Sequence, residues 1–335
     1  MASPGVSVVI PTHDRAALLR RAVESALLAM RADDELIVVD DGSTDGTGAL
    51  LASYGARLRS ARTPHRGPGA ARNRGLAEAR LELVAFLDSD DEWMRDKLEL
   101  QRAVMERRAD ALFCFSDFGH RDGAGKEARR CLGAWHGDAR GWDLILGPAV
   151  PFSALGPLPE GRADFAVHVG GLYPSALGGD YVCTSTAMVR RTGAGEAARF
   201  PEDLRKYEDW EYFSRLAAAG PAAYLDCETQ WNCDHPGERL SRLDGLGEAT
   251  ARLAVLERVW GSDAAFLEEH GPRFRAVVAG HRRARARALI AAGRTREARQ
   301  ELRRAGQASA RERVMARLPG ALARTLVRAR RRLVS

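Results

Sequence analysis

Several clusters of residues in this chain combine side-chain types and spacing that suit chemistry. Asp88-Ser89-Asp90-Asp91 follows directly on the apolar run Leu83 to Leu87. Three carboxylates at one strand exit repel one another unless a cation lies among them. Hard oxygen ligands of this kind suit Mg2+ or Mn2+, which in turn can hold a pyrophosphate. A solvated acidic loop, or the first turn of a helix starting near Trp93 and Leu98, accounts for the same residues equally well. Asp40-Asp41-Gly42-Ser43 closes a second apolar run, Leu36 to Val39. Asp-Gly-Ser is also an ordinary turn, but two acids behind a buried strand favour a binding role over turn chemistry alone. Glu208-Asp209-Trp210 opens a helical pattern that continues through Phe213 and Leu216. Acids there either stabilise a helix N-terminus or accept a proton from a reacting hydroxyl. His235 stands before Pro236, open both to a metal or diphosphate contact through a ring nitrogen and to a turn role.

The elements that must position these residues follow from periodicity. Val6 to Pro11 reads as a buried strand, and Leu19, Val23, Ala26 and Met30 recur at helical spacing after it. Leu36 to Val39 is a second buried strand, Thr44 to Tyr54 a helix capped by Ser43 or Thr44, and Leu83 to Leu87 a third strand. Strands alternating with helices predict a parallel sheet with right-handed crossovers. Polar residues then collect at the C-terminal strand ends, where open α/β sheets bind ligands: Thr12 and Asp14, Asp40 and Asp41, Asp88 and Asp90. Residues 116–180 are rich in Gly and Pro with little periodicity. Tyr181 to Arg190 regains strand character, and Glu208 to Ala219 reads as a helix. From about 245 the sequence is helical and Ala/Arg-rich, with a hairpin turning at Gly293. It resembles a single tetratricopeptide-like unit, too little for a solenoid.

Charge divides the 335 residues unevenly. Residues 271–335 hold 19 Arg and 3 acids, a net of +16, against a net of −10 for residues 1–270. The whole-chain pI of 9.3 therefore describes neither part. Lys occurs only at 97, 126 and 206, so an individual Arg carries little information in this composition. The five cysteines, at 114, 131, 183, 227 and 233, are widely spaced without a CxxC pair. That argues against a disulfide framework or a zinc module and fits a reducing compartment. With no leader pattern and no apolar stretch of spanning length, a cytoplasmic location is expected.

Four motifs occur in order: VSVVIPTHDR, VVDDGSTDGT, GPGAARNRG and FLDSDDEW. The series resembles glycosyltransferase family 2 over roughly residues 5–115, more loosely over 180–240, and not beyond. The resemblance implies an α/β fold of the GT-A type: a Rossmann-like, mostly parallel central sheet flanked by helices, with a C-terminal α-helical extension. The expected divisions are a nucleotide-sugar half at 1–115, an acceptor and catalytic half at 116–245, and a basic extension at 246–335. The donor-nucleotide residues it implies are Pro11, Thr12, Asp14, Asp40, Asp41, Arg72, Asp88 and Ser89. Among them Thr12 lines the pocket, Asp41 hydrogen-bonds the base, and Arg72 lies near the phosphates beside the loop-packing Asn73. Arg74, on a solvated face in this Arg-rich chain, receives no role, and the glycine-rich bend from Gly67 to Gly75 matches neither GxGxxG nor a GKS/GKT loop.

The same resemblance gives Asp90 and Asp88, with His235, to a divalent cation, Mg2+ or Mn2+, with Asp90 the more direct ligand. It gives Asp209 the role of general base with Glu208 orienting it, and Asn232 to Arg242 an acceptor-side loop. The implied activity is inverting transfer of a sugar from a nucleotide-diphosphate sugar to a hydroxyl of a glycan or lipid-linked acceptor. A nucleotidyltransferase would want a Gly-rich loop with Lys where PTHDR stands, and a non-catalytic sugar-nucleotide module would have lost the acids. Trp210 and Trp231 are open to stacking on a sugar but more commonly serve a core. The tail lacks the aromatic–basic interleave of a nucleic-acid binder. Residues 271–310 read as an ordinary helical appendage packed on the acidic body, whereas in 318–335 Leu322, Leu326, Ala329 and Leu333 at helical spacing among arginines suit an anionic membrane surface or an acidic partner, the former making the protein peripheral on the inner face of the plasma membrane.

Overall fold

The computed structural model describes residues 4–192, 195, 199–235, 244–306 and 308–334. The chain divides into two compact units, Met1–Glu238 and Arg239–Ser335.

The first unit is built on one mixed sheet. Its strands are β1 (Val6–Thr12), β2 (Glu35–Asp40), β3 (Arg59–Arg62), β4 (Leu83–Phe86), β5 (Glu92–Trp93), β6 (Phe113–Arg121), β7 (Glu127–Ala128), β8 (Ala149–Pro151), β9 (Ala166–Gly170), β10 (Met188–Arg190) and β11 (Ala222–Cys233). Their order is β3-β2-β1-β4-β10-β6-β11-β9-β8, with β5 on β11 and β7 on β6. The helices between them are α1 (Ala16–Ala29), α2 (Thr47–Ser53), α3 (Pro68–Glu78), α4 (Lys97–Arg107), α5 (Leu132–His136), α6 (Trp142–Leu146), α7 (Tyr173–Ala176) and α8 (Glu208–Ala219).

Strands β2, β1 and β4 run parallel as expected, with β3 added parallel at the edge, and the apolar runs of β2, β1 and β4 are buried on both faces. One face packs Val6, Val8, Ile10, Val38 and Ala85 against Leu19, Val23 and Ala26 of α1. On the other, Phe86 meets Phe200 edge-on at 5.4 Å, and Phe200 stacks on Tyr212 of α8 at 3.8 Å. Parallel register sets Thr12 level with Asp40 and Val9 level with Phe86, so three strand exits open at one sheet edge.

Beyond β4 the sheet departs from the all-parallel expectation. β10 is antiparallel to both β4 and β6, β11 is parallel to β6, and β9 and β8 close the sheet antiparallel. The strand expected at Tyr181 to Arg190 is cut to Met188–Arg190, because Thr184–Thr186 forms a 3-10 turn. Neither Ser43 nor Thr44 caps α2, which starts at Thr47. Asp14 takes the Thr44 N–H, Ser43 Oγ accepts from the Asp14 N–H, and Asp45 accepts from the Thr47 N–H. Helix α8 has the expected bounds.

The second unit is helical: α9 (Gly245–Val259), α10 (Ala264–Ala291), α11 (Thr295–Arg304), α12 (Ala310–Arg317) and α13 (Gly320–Val334). Asp244, Asp263 and Ser309 cap their helices by accepting backbone N–H bonds, and Ser309 with Glu312 forms a reciprocal capping box. The α10–α11 hairpin turns at Gly293, as expected, with φ +78°. Ala286, Leu289, Ile290, Ala298, Leu302, Ala316 and Ala323 form its small core.

One contact in the first unit decides where the functional residues of α3 lie. A Cβ on Gly75 would fall 2.2 Å from Val9 Cγ1 of β1, so only glycine lets the helix approach the strand. Gly75→Ala would gain about 1 kcal/mol of helix propensity but overpack a buried contact, at a cost of about 1–3 kcal/mol. Overpacking wins in this balance, so the urea midpoint of Gly75→Ala should fall. A midpoint equal to or above that of the parent chain contradicts the close-approach account.

Candidate active site

The turn after β2 is held by its own acids. Asp41 Oδ1 accepts from Thr63 Oγ1 at 2.6 Å and the Arg66 N–H at 2.8 Å, and Oδ2 from the Gly67 N–H at 2.7 Å. A buried carboxylate so satisfied fixes the loop leading into α3. Asp40 accepts from the Ser43 N–H at 2.8 Å and lies 3.3 Å from Arg62. Asp14, at φ +48°, accepts from the Thr44 and Asp45 N–H groups; the Thr44 bond foremost holds its carboxyl below the usual range. His13 and His65 stack at 3.9 Å and both aim Nδ1 at the Asp41 carbonyl. Pro11 and Thr12 are buried beside this turn, and Thr12 Oγ1 has no hydrogen-bond partner among the described residues. Pro11, Thr12, Asp14, Asp40 and Asp41 thus gather at the adjacent exits of β1 and β2, with most of their polar capacity spent on shaping the turn.

Arg72 joins this edge to the second half of the unit. Its guanidinium is buried, donating to Asp88 Oδ1 at 2.7 Å and to Glu208 Oε1 at 2.8 Å, 136 residues away in sequence. Burial alone would lower its pKa, but the charges of Asp88, Glu208 and Asp209 outweigh that and raise it, so Arg72 stays a cation. The loop after β4 is fastened from the 3-10 turn: Ser185 Oγ accepts from the Asp88 N–H at 3.0 Å and donates to Asp91 Oδ2 at 2.6 Å. Trp93 Nε1 donates to the Ser185 carbonyl at 2.8 Å. Ser89 and Asp91 are buried inside the loop, while Asp88 and Asp90 keep 31% and 23% of their side chains exposed. Burial, then the charges of Asp90 and Asp88, push the Asp91 carboxyl well above the usual range. Asp90 Oδ2 accepts from Arg15 Nη1 at 2.7 Å and His235 Nε2 at 3.0 Å.

Helix α8 presents Glu208 and Asp209 in its first turn, launched from Tyr207 in the left-handed region at φ +69°. A bulky residue held there marks a conformation over-determined by its surroundings. Burial foremost, then the like charge of Asp209, raises Glu208 to about 7 against the lowering effect of Arg72. Burial also raises Asp209. Asp209 keeps part of its surface open, with Thr184 Oγ1 3.4 Å from Oδ2 and the Trp210 N–H 2.8 Å from Oδ1. Trp210 is buried and donates Nε1 to the Ala176 carbonyl at 2.9 Å, so it serves the core. Trp231 lies under the guanidinium groups of Arg129 and Arg121 at 4.4 and 4.7 Å. Trp210 therefore offers no free face for sugar stacking.

Sequence reading brought Asp88, Asp90, Arg72, Glu208 and Asp209 into one site, and they converge here. It missed Arg15 and Ser185. Arg15 carries no signal in an Arg-rich chain, and Ser185 was hidden in a stretch read as continuous strand. Asn73 pins α3 to the segment before α8 by donating to the Phe200 carbonyl at 2.9 Å. Of the acceptor-side loop, 236–242 lies outside the described residues.

The donor set limits how a cation could be held. Among the described residues no three Asp, Glu, His or Cys side chains converge on one point. Mg2+ and similar ions need only one or two carboxylates when they keep waters and take phosphate oxygens. Asp90 and Asp88 supply that number, with His235 beside Asp90. The residues therefore fit a cation shared with a diphosphate and do not form a closed protein cage.

Residues 7–142 match the family model of Glycosyl transferase family 2. The putative teichuronic acid biosynthesis glycosyltransferase TuaG of Bacillus subtilis is 39% identical over 119 residues, 34% of this chain and 47% of that protein. The chain spans 17–47% of the length of the first curated relatives it matches. Among solved structures, S. aureus TarS 1–349 in complex with UDP-GlcNAc aligns with a TM-score of 0.56 at 16% identity, covering 89% of this chain and 88% of that one. The mannosyltransferase PcManGT of Pyrobaculum calidifontis, in complex with GDP-Man and Mn2+, aligns at 0.54 and 18%, covering 98% and 81%. At these identities the structural likeness establishes the fold, of the GT-A type with a helical C-terminal region. The likeness to glycosyltransferase family 2 is thus carried by residues 7–142.

Proposed function

We propose that the first unit transfers a hexosyl group from a nucleotide-diphosphate sugar to an acceptor hydroxyl, with inversion at the anomeric carbon and with help from a divalent cation. The observation that carries this reading is the Arg72 clamp, which draws the acids of the β4 exit and the acids of α8 into one site. The nucleotide would lie along the β1 and β2 exits, and its diphosphate near Arg72, Asp88 and Asp90. Support for a nucleotide-sugar donor and a cation comes from the neighbours solved with UDP-GlcNAc and with GDP-Man and Mn2+. A glycan or lipid-linked acceptor is our reading, and the likeness to TuaG, named for teichuronic acid biosynthesis, supports a place in cell-envelope polysaccharide synthesis. Among the described residues no helix is long and apolar enough to cross a membrane, and the five cysteines are free.

Chemically, Asp209 accepts the acceptor's O–H proton while that oxygen bonds to the anomeric carbon. The bond from that carbon to the diphosphate oxygen breaks, and the nucleoside diphosphate leaves with the electron pair. One such displacement inverts configuration once. Glu208, anchored by Arg72, holds the first turn of α8 so that Asp209 faces the acceptor. A cation at Asp90 and Asp88 would supply Lewis-acid compensation for the charge on the leaving group.

Three outcomes test this. In calorimetry, Mn2+ should tighten nucleoside-diphosphate binding at least tenfold in the parent chain. Asp90→Ala should abolish that coupling while keeping a native melting curve, because Asp90 sits at the loop surface. Equal Mn2+ dependence in the variant would refute the metal assignment.

Asp209→Asn should lower kcat by roughly 10²-fold or more, within the range of lost acid–base catalysis, with the donor Kd nearly unchanged. Loss of donor affinity at unchanged kcat would remove Asp209 from the role of base.

The Glu208–Asp209 pair should also shape the pH profile. Catalysis needs the deprotonated pair, so kcat/KM should rise with pH and level off above about 7. Glu208→Gln removes a like charge and should move the rise to lower pH. Folded Glu208 holds extra proton between its ordinary value of 4.5 and about 7, so its contribution to stability falls as pH rises through that window. A flat profile from pH 5 to 8 would contradict the assignment.

A further inference from the structure

Within the second unit, residues 271–335 carry a charge imbalance that the acids of the same stretch do not offset. Residues 271–335 contain 19 Arg against Glu297, Glu301 and Glu312. Glu301 is buried among Arg282, Arg285 and Arg304, at 3.3, 3.5 and 3.2 Å. Glu312 is buried against Arg283 and Arg287, at 3.1 and 2.9 Å, which with the Ser309 N–H hold its carboxyl down to about 2 despite burial. Glu297 pairs with Arg294 at 2.6 Å. All three acids are thus taken up by helix packing, and Arg303, Arg311, Arg313, Arg317 and Arg324 stand exposed on the last three helices.

The same helices leave large apolar side chains in water: Val314 at 58%, Leu322 at 47% and Leu326 at 44% exposure. Leu322 and Leu326, four residues apart, lie on one face of α13. Ala323 is buried in the unit's core and holds that helix in place. Arginines beside exposed leucines match the chemistry of a lipid interface, where guanidinium groups meet anionic headgroups and the aliphatic chains enter the acyl boundary. Nucleic acid fits less well. Base stacking wants exposed aromatic rings, whereas Trp260 and Phe266 are buried, Phe274 is half-buried, and among the described residues of this unit the exposed large apolar side chains are aliphatic.

We propose that the last helices of the second unit dock on an anionic lipid surface, with arginines on headgroups and Leu322 and Leu326 in the interface. The docking is independent of the glycosyl-transfer reading.

The test is co-sedimentation of the full chain with vesicles of equimolar phosphatidylglycerol and phosphatidylcholine, against vesicles of phosphatidylcholine alone. The chain should bind the anionic vesicles only and be released by high salt, as screening shortens the reach of charge. Neutralising three exposed arginines (Arg311→Gln, Arg317→Gln, Arg324→Gln) should weaken binding on the order of a hundredfold. Leu322→Ser with Leu326→Ser should weaken it and make the remainder more salt-sensitive. Melting curves matching the parent's exclude unfolding, and the serine pair carries the test if the arginine variant is unstable. The proposal is overturned by no binding to anionic vesicles at low salt, or by native variants that bind as the parent does. Tighter binding to a single-stranded oligonucleotide than to vesicles would overturn it as well.

Discussion

A buried guanidinium between two carboxylates organises the first unit. Asp88, Asp90, Asp91, Glu208 and Asp209 occupy one region, and so many acids would separate without a cation among them. Arg72 meets Asp88 and Glu208 with separate N–H groups, which fixes direction as well as charge. Its Nε has no hydrogen-bond partner among the described residues, and the Phe200 ring covers the guanidinium at 5.4 Å. Deleting one partner of such a buried set leaves charge uncompensated, at a cost of about 3–5 kcal/mol. The clamp therefore constrains both halves of the site together: wherever the β4 exit goes, the first turn of α8 must follow.

The remaining contacts place Arg72 and tune its neighbours. Gly75 seats α3 against β1, Asn73 ties α3 to the segment before α8, and Asp41 fixes the loop that starts α3. From the 3-10 turn that leads into β10, the neighbour of β4, Ser185 bonds both ends of the acidic loop. The loop's inner acid, Asp91, is thereby separated from its outer acids, Asp88 and Asp90, which stay at the surface where a diphosphate and cation could reach them. Glu208 and Asp209 divide in a similar way. Glu208 is buried on Arg72, and Asp209 keeps an open edge. Two adjacent acids in one helical turn thus meet different neighbours, and the proposed reading gives them different tasks on that ground.

Much of this was legible in the sequence where one physical signal dominated. The strands β1, β2 and β4 are apolar runs with acids at their ends, and α8 begins with its acids and keeps its apolar spacing, so pattern and structure agree. β6 and β11 escaped notice because their patterns are broken. β11 shifts register between Leu225 and Glu228 and again between Glu228 and Trp231, and it carries Asp226 and Glu228 on its path. β3 is a half-exposed edge strand containing two arginines, with no apolar run to reveal it. His235 beside Asp90 is a contact across 145 residues. Sequence left its role open between turn and ligand, and only the pairing of β11 with β6 and β5 delivers it to the acidic loop.

The central claim is that this site breaks the bond between a sugar and a nucleoside diphosphate. The direct measurement is proton NMR of the anomeric region while the chain is incubated with UDP-, GDP- and dTDP-sugars in turn, with Mg2+ as the diamagnetic cation. One donor should lose its anomeric signal in a protein-dependent way, and the first sugar product, free or transferred, should carry the opposite anomeric configuration. Persistence of every donor signal, or a first product that keeps the donor's configuration, would contradict the account.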